Sequence, residues 1–285
     1  MISNSMHSLY KYMPLRPEFF DNFLLRATGR FSLNDPFEVL PSVEYFADFA
    51  KKDIGESRAK QAIEAYISGN PAQLYKHYSG MLTKHGVISF TEIPDNLLMW
   101  AHYADEHRGI VIEIDREHAF FNDEYSFSGN LHRVLYRKSR LSKFTTYFAP
   151  YLYKSDEWQY EKEHRFIVSL AESTKKMIKK EHKEKFPVFE GYLVTKFSDD
   201  LYEISGGDFP GSLATASNST VMHMFSIPPD SIKSIILGAL VSEDDEKEIV
   251  NAIQTNKDLD KLKIYKSQLH THRFELDIVE LKRTD

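Results

Sequence analysis

Apolar and polar positions change period several times along this chain, and each change marks an element. Leu9-Tyr10-Lys11-Tyr12 is a short aromatic run closed by Pro14 and Pro17, which predicts a strand. Phe19 to Arg26 is apolar and ends near Gly29. Behind Ser42, the residues Val43, Phe46, Phe49, Ala50 and Ile54 recur at helical spacing, which predicts helix across 42–67. Residues 58–67 form a second helical run. A third covers 71–85, with Asn70 as its cap and Pro71 in its first turn. These runs make a helical insertion at roughly 42–85.

The period then shortens. Gly86 to Glu92 is β-branched and aromatic and predicts a strand. A short helix follows over Asn96 to Asp105, then a turn at His107-Arg108-Gly109. Ile110 to Ile114 is almost wholly apolar, as expected of a central strand buried on both faces. Val134 to Tyr136 is a short strand, and Lys143 to Tyr160 is aromatic and expected to be partly helical. His164 to Leu170 puts Phe166, Val168 and Leu170 on one face of a strand. Residues 174–185 suggest a Lys/Glu-rich helix or a solvated loop. Further strands are expected at Val188–Leu193, Met222–Ile227, Ile232–Leu237, Leu262–Tyr265 and Phe274–Leu281. A helix is expected from Ser242 to Thr255, where Ser242 and Asp245 loosely match a capping box. The loop 205–219 is rich in Gly, Ser and Pro and is the expected flexible segment. Strands and helices are segregated, so the fold class is α+β with a mixed or antiparallel sheet in a single domain over 1–285.

Composition narrows the function classes without choosing one. The chain has 285 residues, 42% apolar and 27% charged, and no cysteine. That excludes a thiol nucleophile, an iron–sulfur cluster and a cysteine zinc site. It fits a reducing cytoplasm, the expected location. The opening lacks a basic segment followed by an apolar one, so no signal peptide is expected, and no apolar run suits a bilayer. The net charge of −6 disfavours bulk nucleic-acid binding and leaves room for a local basic patch.

Candidate chemistry is concentrated in a few stretches. In WQYEKEHRF, Glu161, Glu163 and Arg165 alternate and share one side of an extended chain. Two close carboxylates push one pKa up, which makes an acid/base pair, and Arg165 can keep one ionised. The bland alternative is a solvated strand start. FSLNDPFE carries Asn34, Asp35 and Glu38 in turn chemistry. His102 lies on a short helix near Trp100 and Tyr103 and is a candidate acid/base group or a packed side chain. His270 and His272 alternate, but no carboxylate completes a metal set, so no metal site is expected. Arg133, Arg137, Lys138 and Arg140 form an acid-free basic stretch with aromatics following it, a pattern suited to nucleic acid or a nucleotide.

The blocks LYKYMPL, FSLNDPFE, ISFTEIPDNLLMWAHYADEHRGIVIEID, WQYEKEHRFI and IILGALVS appear in an order that resembles the bacterial "domain of unknown function 2971" family. Members of that family occur in settings that suggest anti-phage defence or toxin–antitoxin systems. The motif order is also similar to that of ADP-ribosyltransferases. That likeness implies a split sheet and NAD as substrate. It implies that Tyr10, Lys11 and Tyr12 hold the ribose, with Lys11 where that superfamily carries His or Arg. Ser89, Phe90 and Thr91 would shape the nicotinamide pocket, and Glu163, preceded by Glu161, would bind the ribose 2′-hydroxyl and stabilise the transition state. Glu161 would then be the acceptor base. Asn34, Asp35, Arg165 and His102 complete the candidate set, with a nucleic-acid or protein acceptor met by the basic stretch. Two alternatives stand beside it. One is a metal-dependent nuclease or phosphodiesterase using Asp35, Glu38, Glu161 and Glu163. The other is a module that senses a nucleotide or a protein without turnover.

Overall fold

The computed structural model describes residues 7–57, 60, 64, 82–122, 129–184, 186, 191–206, 215 and 218–281. The first strands are β1 (Ser8–Met13), β2 (Leu24–Gly29), β3 (His85–Thr91) and β4 (Ile110–Asp115). The middle of the chain gives β5 (Leu131–Arg133), β6 (Leu135–Tyr136), β7 (Tyr153–Lys154), β8 (Glu163–Ser169) and β9 (Lys175–Lys179). It closes with β10 (Tyr192–Lys196), β11 (Leu201–Gly206), β12 (Val221–Ser226), β13 (Ile232–Leu237), β14 (Lys263–Leu269) and β15 (Leu276–Glu280). The large sheet runs β10-β11-β9-β12-β2-β3-β1-β4-β13-β14-β15, with β8 joined to β3 and β5 to β8. Its pairs are antiparallel except β13 with β14. The helix Glu243–Thr255 supplies the crossover that a parallel pair needs. β6 and β7 make a separate parallel pair. The fold is α+β with a mixed, mostly antiparallel sheet.

β3 has three neighbours, and this opens the sheet. It pairs with β8 along its length, from His85↔Ser169 to Thr91↔Glu163. With β2 it shares only Thr28↔Val87 and Gly29↔Gly86, and with β1 only Tyr10↔Thr91. The three strands part beyond those contacts, and a cavity lies in the opening.

β4 is the buried central strand that its apolar run predicts. Ile110, Ile112 and Ile114 pack on one face with Leu9 and Phe166, while Val111 packs on the other with Tyr12, Trp100 and Ile236. Each such side chain contributes about 1.5–3 kcal/mol through burial. The turn before β4 is left-handed, with φ of 47°, 51° and 69° at Asp105, Glu106 and His107. It ends at Gly109, where a Cβ would lie 2.3 Å from the Met13 carbonyl oxygen, so only glycine fits. Asn96 caps the helix Leu97–Tyr103 by accepting from the Met99 N–H at 3.1 Å. Ser242 caps Glu243–Thr255 by accepting from the Asp245 N–H, as the spacing predicts.

Several expectations are corrected. Phe19–Arg26 divides into a helical turn, Phe19–Asn22, and β2, with Phe23 at φ 53° between them. Lys143–Tyr160 contains no α-helix; two 3-10 segments, Ala149–Leu152 and Asp156–Glu161, flank β7. Pro150 lacks the N–H a helix would use. Phe144 and Tyr151 pack instead against Tyr45 and Phe49 of the helix Val43–Ile54. The Lys-rich stretch at 174–185 holds β9, inserted between β11 and β12, followed by a helical turn Lys180–Lys183. Non-local pairing and the buried Met177 and Ile178 override its charge. His270 and His272 lie at a turn, not along a strand face. The Nδ1 of His270 accepts from the His272 and Arg273 N–H groups. Most of the helical runs expected at 58–67 and 71–85, and of the loop 205–219, lies outside the described residues; at the described ends, His85 opens β3 and Gly206 closes β11. No helix among the described residues is long and apolar enough to cross a membrane.

Candidate functional site

Five buried charged side chains meet beside the opening of the sheet. Lys154, on β7, points its ammonium at three carboxylates: Glu161 at 2.5 Å, Glu163 at 3.3 Å and Glu38 at 3.3 Å. Arg165, on β8, is 0% exposed. Its guanidinium grips Glu163 through two bonds of 2.8 and 3.0 Å, donates to the Tyr151 carbonyl at 2.8 Å, and also bonds Glu38. Glu161 and Glu163 reach one centre although only Glu163 is in the strand. Glu161 ends the 3-10 segment, and Lys162 at φ 42° turns the chain between them. Glu38 is brought inward by the Asn-Asp-Pro turn. The Asp35 carboxylate accepts from the Phe37 N–H at 2.8 Å and from the Trp158 indole at 2.9 Å. Val39 then takes φ 51°, a costly conformation for a β-branched residue.

The two carboxylates Glu161 and Glu163 are driven apart electrostatically. Burial pushes Glu163 up, but Arg165 and Lys154 more than offset it, and its pKa falls to about 2. Burial raises Glu161; Lys154 opposes this and Glu163 adds to it, leaving the pKa above the ordinary carboxylate value. Glu163 already accepts from Arg165, Lys154 and the Ser89 side chain, so its oxygens are nearly saturated. Glu161 accepts from Lys154 and, at 2.6 Å, from the Tyr103 hydroxyl, and keeps lone pairs free.

A cavity of about 210 Å³ faces this cluster. Glu38, Glu161, Glu163 and Lys154 line it together with Tyr10, Lys11, Tyr12, Arg26, Thr28, Ser89 and Phe90. Tyr103, Met99 and Asn34 also line it. Burial lowers the half-buried Lys11 to a pKa of about 8, against the pull of Glu163 and with help from Arg16 and Arg26. The Arg26 Nε and the Tyr10 hydroxyl are buried with no hydrogen-bond partner among the described residues. Lys11, Tyr12, Arg26 and Thr28 also line a second space of about 410 Å³, floored by Met177, Met222 and Met224. The two spaces thus share Lys11 and Arg26 among their lining residues.

The expected residues fall into three groups. Tyr10, Lys11, Tyr12, Asn34, Ser89, Phe90, Glu161 and Glu163 line the cavity. Asp35, Thr91 and Arg165 are buried supports that do not line it: the Thr91 hydroxyl donates to the Glu161 carbonyl at 2.5 Å and accepts from the Ile93 N–H. His102 is exposed on the helix, against the edge of Tyr103, and does not reach the cavity. Tyr103, next to it, lines the cavity instead and donates to Glu161. The sequence reading missed Lys154, Arg26, Tyr103 and Tyr136, whose hydroxyl accepts from the Glu163 N–H at 2.7 Å. A lone lysine inside the aromatic run YLYKSD was the available signal for Lys154. The basic stretch is separate. Arg133 pairs with Glu92 at 3.5 Å, while Arg137, Lys138 and Arg140 line another cavity.

A family model described as a protein of unknown function matches residues 99–166. The chain carries a DUF2971 segment. That segment begins in the helix that holds Tyr103 and ends in β8, so it contains Lys154, Glu161, Glu163 and Arg165, and only Glu38 of the cluster lies outside it. No curated protein and no solved structure matches the chain.

Proposed function

We propose that this DUF2971 protein binds a dinucleotide of the NAD type and breaks its nicotinamide–ribose bond, releasing ADP-ribose to water or to an acceptor. The observation that carries this reading is that both kinds of charge line one cavity. A carboxylate pair with separated pKa values and the cations Lys11 and Arg26, which form no ion pair among the described residues, line the same space. The smaller space is below the ~300–1,000 Å³ that encloses a drug-sized ligand, so it takes one end of such a molecule. The diphosphate then meets Lys11 and Arg26, and the remaining base enters the methionine-lined space.

The chemistry follows from the charges. As the glycosidic bond breaks, its electron pair leaves with nicotinamide and positive charge develops on the ribose ring. Glu163, ionised and immobile, supplies the opposing field. Glu161, with free lone pairs and a raised pKa, faces the ligand and takes the proton from water or from an acceptor hydroxyl. The roles thus divide differently from the sequence expectation: Glu161 touches substrate and Glu163 acts through its charge. Consumption of a shared cofactor fits the defence and toxin settings of the family. The carboxylates offer no comparable support for a metal-dependent nuclease, because the Lys154 ammonium takes the central position a divalent ion would need.

The test is nicotinamide release from NAD by the purified chain beside Glu161→Gln, with and without chelator. Release that survives chelator and is lost in Glu161→Gln supports the reading. No release, together with no shift of the melting temperature by NAD, overturns it and leaves a sensing module.

A further inference from the structure

We propose that the basic cavity behind Lys154 is a binding site for single-stranded nucleic acid. This site goes beyond the NAD reading and does not depend on it. The cavity measures about 350 Å³ and carries the exposed side chains of Arg137, Lys138 and Arg140. None of the three forms an ion pair among the described residues, although Arg140 helps to lower the pKa of Glu44. In a chain of net charge −6, three adjacent cations with no carboxylate partner among the described residues make a local positive patch open to an anion from outside.

The rings decide which anion. The guanidinium of Arg140 lies 5.8 Å from the centre of the Phe37 ring, and that of Arg137 lies 5.5 Å from the Tyr153 ring. Phe37 is 62% exposed, so its ring is open to a base from solvent. Aromatic and guanidinium planes beside phosphate-binding charge are what an unstacked base and its backbone require. The floor is apolar, with Leu141 and Pro150. An acidic peptide would use the charges and leave the rings idle. A duplex keeps its bases stacked inside and cannot place one in a concave site.

The site is built rather than incidental. The Arg137 N–H donates to the Lys154 carbonyl at 3.0 Å, and the Leu141 carbonyl accepts from the Ser42 N–H at 2.9 Å. The cationic loop is therefore pinned at both ends. Phe37 is held by the Asp35 turn that also places Glu38. Lys154 lines both cavities, so a bound strand would lie against the back of the carboxylate cluster.

The test is fluorescence anisotropy of a short fluorescein-labelled single-stranded oligonucleotide with the full chain, without NAD. The combined Arg137→Ala, Lys138→Ala, Arg140→Ala variant should bind roughly tenfold more weakly or worse. Its salt slope should fall by about 2, at about 0.7 per lost phosphate contact. Phe37→Ala should weaken binding severalfold through lost stacking. A control carrying Lys247→Ala, Lys257→Ala and Lys261→Ala, exposed and distant, should bind as wild type. Equal losses in the control, unchanged binding in the cavity variants, or equal affinity for duplex or for an acidic peptide would each overturn the proposal.

Discussion

The two sides of Lys154 use the same kinds of charged group in opposite ways. On the inner side, Lys154 and Arg165 are buried and each faces more than one carboxylate. On the outer side, Arg137, Lys138 and Arg140 are exposed and face none within ion-pair distance among the described residues. Burial makes the difference. An ion removed from water without a partner is costly, as the lowered pKa of Lys11 shows, whereas a solvated cation needs no partner and stays available to a ligand. Structure is thus expected to depend on the inner charges, and recognition on the outer ones.

The largest test of that contrast is Lys154→Met. It keeps a long side chain and removes the charge that separates Glu38, Glu161 and Glu163. Breaking one partner out of a buried ionic set costs roughly 3–5 kcal/mol. Urea unfolding should show a loss of that size at neutral pH. Part of the loss should return at acid pH, where Glu161, its pKa already raised by burial, takes up a proton. An unchanged midpoint would mean that the inner cluster is wet and the contrast false.

A smaller effect comes from acid. Glu163 has a folded pKa of about 2, below its unfolded value of ~4.3. Its contribution to stability is therefore present above the unfolded pKa and is lost as the pH falls from about 4 towards 2. Glu161 has the opposite sign: its contribution is present at low pH and is lost as the pH rises through its raised pKa. Unfolding followed against pH should lose its steep acid limb in Glu163→Gln and keep it in Glu161→Gln. Identical limbs in both variants would show that the two carboxylates are not held apart.

Much of this arrangement was legible in the sequence, and the misses have a common cause. The apolar run of β4, the Ser242 cap and the pairing of Glu163 with Arg165 along β8 follow from local pattern, whereas Glu161 joins them through the left-handed turn at Lys162 and not as part of an extended chain. Lys154 was missed because its partners come from three separate stretches of chain, and no local period announces them. β9 was missed because its lysines look solvated, and only pairing with β11 and β12 makes the segment a strand. His102 was overvalued because a histidine on a short helix carries no sign of which way it faces. Residues whose roles depend on distant neighbours are those that local patterns cannot reveal.

The smallest effect sharpens the comparison most. Replacing Arg137, Lys138 and Arg140 by alanine removes three charges, more than Lys154→Met removes, yet the stability of the chain should stay within about 0.5 kcal/mol for each site. These side chains are solvated and form no ion pair among the described residues, and the loop is held by backbone hydrogen bonds that substitution leaves intact. The Arg137 N–H and the Leu141 carbonyl belong to the main chain, so alanine keeps both anchors. Urea unfolding of the triple variant beside Lys154→Met measures the contrast directly. A cost of several kcal/mol in the triple variant would mean that the cations are bracing the Asp35 turn through Phe37, and that the outer cavity is part of the same scaffold as the inner cluster. An unfolding curve that overlays wild type would leave the three cations without a structural task.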